Sequence, residues 1–327
     1  MLASADAVAM VEAAYDPEPS ERVWLEGLVE HGVRLVPGAT RGAAFTLDAS
    51  RPASPRLGVP VAVGVDRGFS RQLTHAMRSD ANMARYFTHK VATASEVLGT
   101  SQIGTDQVGA FVLAQGSPDS FGCVALDAEG RGVVVCTDLS RVLRLSRALR
   151  GRWQLVAAHV AAACRLRSRA PDAERSDLDE CVIAPGGRVL HAAGPAMPSA
   201  ARDRLRHAVV ARDRARTRAV RASPEEALAL WPALVSGRWS LVDRFERDGR
   251  RYVIAQRNHP APSAPLALSL RERQVLGHLI QGDSVKLTAY SLGLAPSTVS
   301  SLAQSVLIKL GVRSRAQLAA FGGWPGT

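Results

Sequence analysis

Side chains able to carry out covalent or metal chemistry are scattered rather than grouped in this 327-residue chain. Cys123, Cys136, Cys164 and Cys181 form no Cys-x-x-Cys pair and lie near no regularly spaced histidines, so neither a zinc site nor a disulfide framework is expected. Buried free thiols are the expectation instead. His75, His89, His159 and His191 are isolated, without HExxH spacing, and no GxSxG or P-loop occurs. Asp6 and Asp16 do not make the acidic cluster of a phospho-receiver domain. Trp153, Trp231 and Trp239 fit a packed core better than a ligand pocket. With no nucleophile and base placed by any motif, no catalytic residue, metal ligand or cofactor is assigned. What remains is the chemistry of charge. The formal net charge of +11 points to an anionic partner. Only Lys90, Lys286 and Lys309 are lysines, however, and arginine with abundant alanine carries the mark of a GC-rich genome, so where the charge sits matters more than its sum.

Two stretches concentrate it. Between Arg202 and Arg221 there are eight arginines, opposed by Asp203 and Asp213. A solvated helix face is the preferred reading, with an accessory DNA contact or a charged coupling helix as the alternative. Near the C-terminus, from Leu266 to Gly323, Arg271, Arg273, Lys286, Lys309, Arg313 and Arg315 outnumber Glu272 and Asp283, and a few such cations suffice to neutralise phosphates.

The elements that must position these charges follow from periodicity and punctuation. Ala7 to Tyr15 and Glu21 to Gly32 read as helices, Gly42 to Leu47 and Leu57 to Val65 as strands, and Phe69 to Phe87 as a helix. Three short apolar runs follow, Val108 to Ala114, Phe121 to Leu126 and Gly132 to Cys136, expected as a strand meander with a turn at Ala128-Glu129-Gly130. A long helix is expected over Ser140 to Arg167, with Leu145, Leu149, Trp153, Val156 and Val160 along one face. Residues 1–170 thus resemble, in order of elements, a GAF-like α/β sensor. Residues 171–258 form a smaller α/β unit resembling part of a PAS domain: a hairpin around Gly186-Gly187, helices near Ala200 to Val220 and Pro224 to Leu234, and a hairpin around Asp248-Gly249. Residues 259–265, with three prolines, form a linker. No run of about 18 apolar residues is present, and Met1 to Met10 lacks a basic n-region, so a soluble cytoplasmic chain without membrane contact is expected.

Beyond the linker the pattern is all-α. Ser269-Leu270-Arg271-Glu272 is a capping box. Val275, Leu276, Leu279 and Ile280 make an apolar stripe, and Gly282 supplies a left-handed stop. Ser284 can cap a second helix with Ala289 and Leu292 inward, and Gly293 loosens the next turn. Pro296 suits the first position of a third helix, whose buried face is Val299, Leu302, Ala303, Val306 and Leu310. Ser314 can cap a fourth helix carrying Leu318, Ala319 and Phe321. The stretch Leu268 to Leu276, then Gly282-Asp-Ser284-Val-Lys286, Ala289, Leu292-Gly-Leu294, Thr298-Val299 and Lys309 to Arg315 resembles the LuxR/GerE-type DNA-binding domain, so residues 266–327 are expected to be a four-helix helix-turn-helix domain. Ser236 to Phe245 (SGRWSLVDRF) before a proline-rich linker looks like the large regulators of this family from GC-rich bacteria.

The resemblance implies a recognition helix at about Pro296 to Leu310 in the major groove of double-stranded DNA. Its outward face is Ser297, Ser300, Ser301, Gln304, Ser305 and Ile308. Ser300, Ser301 and Gln304 take the base-facing positions; Gln can bond adenine in a bidentate way, and Ser reads bases with little selectivity. Lys286, Thr298 and Lys309, and after them Arg313 and Arg315, take phosphate positions, which set register and salt dependence. Leu318 and Phe321 are expected at a homodimer surface. A small-molecule ligand in the N-terminal region, RNA polymerase as a partner and residence at the nucleoid complete the expectation. Five positions depart from the family: Ser300 replaces a basic residue, Leu302 a histidine, Leu287-Thr288 a Glu-Ile pair, and Ala295 a capping serine. The rival expectation, motivated by Ser300 and Leu302, is a regulatory protein-interaction module that has weakened or lost sequence-specific DNA binding.

Overall fold

The computed structural model describes residues 7–50, 55–65, 68–80, 83–87, 89–169, 179–245, 249–258, 268–310, 314 and 318. The elements are α1 (Ala7–Ala14), α2 (Glu21–Leu35), β1 (Ala39–Asp48), β2 (Arg56–Leu57), β3 (Val61–Val63), α3 (Phe69–Ser79), α4 (Met83–Phe87), β4 (Val91–Thr93), α5 (Ala94–Leu98), α6 (Gln107–Ala114), β5 (Asp119–Leu126), β6 (Arg131–Leu139) and α7 (Arg147–Arg169). They continue with β7 (Asp179–Ile183), β8 (Val189–Ala192), α8 (Ser199–Ala215), α9 (Arg218–Arg221), α10 (Pro224–Leu230), β9 (Trp239–Phe245), β10 (Arg251–Arg257), α11 (Leu270–Ile280), α12 (Val285–Leu292) and α13 (Pro296–Lys309). The chain divides into two compact units, one of Met1–Ala161 with Leu318–Thr327, the other of Ala162–Gln317.

In the first unit an antiparallel sheet runs β2-β1-β6-β5-β4, with β3 also pairing β1. Alternation along the strands divides the core. Ala43, Phe45, Leu47, Val124, Leu126 and Val134 face Phe69, Leu73 and Met77 of α3, Phe87 of α4, and Val108 and Val112 of α6. On the opposite face Val135 meets Gly32 of α2, and Phe121 packs on Trp153 of α7 with ring centroids 4.8 Å apart. The hairpin between β5 and β6 turns at Gly130, whose φ of +78° favours glycine.

Several elements differ from their expected form, three of them where a polar side chain claims a backbone amide. Val108 to Ala114 is helical, not a strand: Asp106 caps α6 by accepting from the Gly109 amide at 2.6 Å. A short all-apolar run gives no periodicity by which to tell strand from buried helix. The expected helix over Phe69 to Phe87 breaks into α3 and α4 at Asp80, which is extended (φ −85°, ψ 112°) and accepts from the Val108 amide at 2.8 Å. The long helix starts at Arg147, not Ser140, because the Leu143 amide bonds Asp119 at 3.2 Å and the Leu145 amide bonds Glu96 at 3.1 Å. Leu57 to Val65 is two short strands, both paired to β1.

The second unit holds a four-stranded antiparallel sheet in the order β8-β7-β10-β9. Its core joins Cys181, Ile183, Leu241, Val253 and Ala255 from the strands with Leu205 and Val209 from α8 and with Val235 and Trp239. Trp153, Trp231 and Trp239 are all buried. Asn258, fully buried, follows β10 and donates to Ala162 O at 2.9 Å and Ser240 Oγ at 2.7 Å. The expected helix over Ala200 to Val220 is two helices, α8 and α9, and its arginines divide into two sets. Arg202, Arg204, Arg206, Arg214 and Arg218 are exposed. Arg212 is buried and paired with Asp243, which also takes Arg216 at 2.6 Å; Arg251 holds Asp213 at 2.5 Å. Burial pushes the thiols of Cys123 and Cys136 up to about 12 and that of Cys181 to about 11, so all three stay protonated at neutral pH. The linker at residues 259–265 lies outside the described residues.

Candidate nucleic-acid interface

The last three described helices are built by caps and glycines where the sequence placed them. Ser269 accepts from the Glu272 amide at 3.3 Å while the Glu272 carboxylate accepts from the Ser269 amide at 2.7 Å, the reciprocal capping box that starts α11. Val275 and Leu279 are buried beneath it. Gly282 adopts φ +78°, and His278 Nδ1 lies 2.8 Å from Asp283 Oδ2, tying the end of α11 to the turn. Ser284 caps α12, accepting from the Leu287 amide at 3.1 Å, and Gly293 ends it in the left-handed region at φ +60°. Ala295 precedes α13 with N-cap backbone geometry but no side-chain bond, and Pro296 opens the helix.

α13 packs on both α11 and α12. Val299, Ala303 and Val306 are its buried stripe, spaced by four and three residues, while Leu302 and Leu310 are half-buried. The other side is polar and open. Ser297, Thr298, Ser300, Ser301 and Gln304 are exposed, and Ile308 is 72% exposed at the far end. Ser301 donates its hydroxyl back to Ser297 O at 3.1 Å, a local bond within the helix. Lys286 stands exposed on the first turn of α12 with no ion pair among the described residues.

Other residues expected at this face are engaged elsewhere. Lys309 places Nζ 2.8 Å from Glu272 Oε2, and Ser305, half-buried rather than outward, donates to Glu272 Oε1 at 2.6 Å. Buried Glu272 therefore serves three partners, and the Lys309 ammonium, the Ser305 hydroxyl and the Ser269 amide hold its pKa down to about 2. Arg271 turns to Gln274 at 2.9 Å and to the carbonyl of Ser236. Arg313, Arg315 and Phe321 lie outside the described residues. Leu318, expected at a dimer surface, is fully buried. Leu287 and Thr288 are both buried, with Thr288 Oγ1 unpartnered.

The structure thus gathers Thr298, Ser300, Ser301 and Gln304 on one exposed helical face. Lys309 lies one turn beyond Ser305, turned toward α11. Sequence reasoning missed the hub at Glu272, which was legible only as a local cap. Its bonds to Ser305 and Lys309 cross 33 and 37 residues, a separation that no local pattern announces. It missed Tyr290 altogether. The Tyr290 hydroxyl reaches Leu228 O at 2.8 Å and Trp231 O at 2.9 Å in the same unit.

Two short helices joined by a glycine turn, the second exposing a polar face, on a capped supporting helix, define a helix-turn-helix domain. Residues 266–321 match the family described as "Bacterial regulatory proteins, luxR family". A 60-residue stretch, 18% of the chain, is 47% identical to the "Probable transcriptional regulatory protein NarL" of two strains of Mycobacterium tuberculosis, covering 27% of that protein. Over 106 residues, 32% of the chain, it is 37% identical to the "Transcriptional regulatory protein UhpA" of Salmonella typhimurium, covering 48% of that protein. The chain therefore spans between about a quarter and half the length of the curated relatives it matches. No helix among the described residues is long and apolar enough to cross a membrane.

Proposed function

We propose that this chain is a DNA-binding transcription regulator rather than an enzyme. α13 enters the major groove, Ser300, Ser301 and Gln304 face base edges, and Lys286 and Thr298 hold phosphates. The observation that carries this reading is the exposed polar face of α13 within a segment matching the luxR family. Arg313 and Arg315 supply further phosphate contacts. Lys309 joins them only by sharing its ammonium between Glu272 and a phosphate. The protein acts in the cytoplasm at the nucleoid as a homodimer on two half-sites, with RNA polymerase as a further partner. Pairing through Leu318 and Phe321 has to uncover Leu318. The sheet of the first unit, layered between helices, serves as a GAF-like sensor for a small molecule, and the four-stranded sheet as its PAS-like companion.

A gel-shift series on promoter DNA at rising salt is the direct test. Retardation at low salt that weakens steeply as salt rises is expected, because each phosphate contact releases counterions. No retardation of any promoter fragment, or binding indifferent to salt, overturns the reading. A second reading, a protein-interaction module with weakened or lost DNA binding, is favoured by one observation: Lys309 is occupied by Glu272 and Arg271 by Ser236 O, which reduces the cations free for phosphate. Capture of a protein partner in the absence of DNA, together with a failed shift, selects it.

A further inference from the structure

A proline-rich linker before a DNA-binding domain leads one to expect a tethered, independently tumbling head. Inside the second unit the contacts say otherwise. The segment from Leu228 in the last turn of α10 through the loop to Gly237, which leads to β9, is bonded to both α11 and α12. Tyr290 on α12 sends its hydroxyl to Leu228 O and Trp231 O. Gln274 Nε2 on α11 donates to Gly237 O at 2.9 Å, and Arg271 donates to Ser236 O. Gly293 comes so close to the loop that an added Cβ would lie 1.8 Å from Leu234 O. Ser236, at φ +50°, is the one non-glycine residue with positive φ among the described residues, and Gly237 follows at +57°. These two left-handed residues carry the carbonyls that α11 engages, and the strain at Ser236, which is not a glycine, persists only where its surroundings fix it.

The other side of the loop is bonded to the sheet. Val235 and Trp239 exchange backbone bonds at 2.7 and 3.1 Å, and Trp239 Nε1 donates to Glu180 Oε2 at 2.7 Å. Trp231 lies under the buried Arg212 guanidinium, 5.3 Å from ring centroid to Cζ, and Arg212 pairs with Asp243 of β9. The loop is therefore held from two sides. Throughout this arrangement the polar face of α13 stays exposed, so the contact fixes the helix-turn-helix without covering its outward surface.

We propose that Tyr290 is a positioning residue that locks the helix-turn-helix to the four-stranded unit, so that the two meet DNA as one rigid body with the outward face of α13 already presented. The inference rests on the DNA-binding reading for its consequence, and on the loop contacts for the lock itself. A rigid joint sets the spacing and orientation of two reading heads at once. It has no bearing on how one head meets one half-site.

The test compares the full-length wild type with Tyr290→Phe, which keeps the ring and removes the one hydroxyl proton shared between the two carbonyls. Hydrogen exchange is followed in residues 228–237 and 285–292, and affinity is measured on duplexes carrying one or two half-sites selected by the wild type. The expected result is faster exchange in both segments together and about a fivefold loss on the two-half-site duplex, the worth of one hydrogen bond. Single-half-site affinity and the salt slope are expected to stay unchanged. Gln274→Leu, which loosens the same loop from α11, is expected to reproduce the pattern. Unchanged exchange in 228–237, or equal loss on one and two half-sites, overturns the proposal, since a merely structural role lowers both alike. A wild type that binds neither duplex strikes the DNA-binding reading before any variant is compared, one that binds both alike strikes only its two-half-site part, and in either case the exchange data alone decide the lock.

Discussion

At the scale of single residues, Glu272 does the most with least warning. It closes the capping box of α11 and receives Ser305 and Lys309 from α13. Lys309→Ala leaves a buried carboxylate without its cation. Since the lysine is itself 39% exposed, the cost is about 1–2 kcal/mol, below that of a fully buried pair. A lower melting temperature checks it. Lys286→Ala, by contrast, is expected to leave the melting temperature alone and to shallow the slope of log affinity against log salt by about 1. Glu272 also sets a pH dependence. Its folded pKa of about 2 lies below the ~4.3 of an unfolded glutamate. Its contribution to stability is therefore fully present above about pH 4.3 and is lost as pH falls toward about 2. Melting of wild type and Glu272→Gln should differ most at neutral pH and converge in that acid window. A gap that stays constant across it contradicts the assignment.

At the scale of elements, caps and glycines decide where helices begin and end. Ala295 already has N-cap geometry (φ −67°, ψ 143°) but no side chain to accept an amide, so Ala295→Ser is expected to stabilise α13 by about 0.5–1 kcal/mol, read as a higher melting temperature. Gly293→Ala should do the reverse by more than about 1 kcal/mol, because it meets both a left-handed φ and the Leu234 carbonyl. The same distinction between local and distant contacts explains what was legible in the sequence. Ser269, Gly282, Ser284, Gly293 and Pro296 act within a few residues of themselves, so α11 to α13 could be drawn from the chain alone. Asp80 and Asp119 accept from amides of other segments, and at those places one helix became two and α7 lost its first turns; the Asp106 cap is local, but the all-apolar run after it has no period to read, and there a strand became α6. The exposed face of α13 was legible for the same local reason. The inward turn of Lys309 and Arg271 was not, because their partners lie in other elements.

At the scale of the whole molecule, two compact units each carry a sheet with its own apolar core, and the helix-turn-helix belongs to the second of them. Within that second unit Asp243 holds Arg212 and Arg216, while Arg202, Arg204, Arg206, Arg214 and Arg218 are exposed. Everything functional depends on whether the outward side of α13 reads bases. The most direct measurement is a base-pair scan. From a duplex selected by the wild type, each base pair is replaced in turn, and affinities of wild type and Gln304→Ala are compared at fixed salt. The expected result is discrimination lost at one base pair, worth about 1–3 kcal/mol there, with the remaining positions and the salt slope unaltered. Equal weakening at every position, or no change at any, contradicts a recognition role for α13.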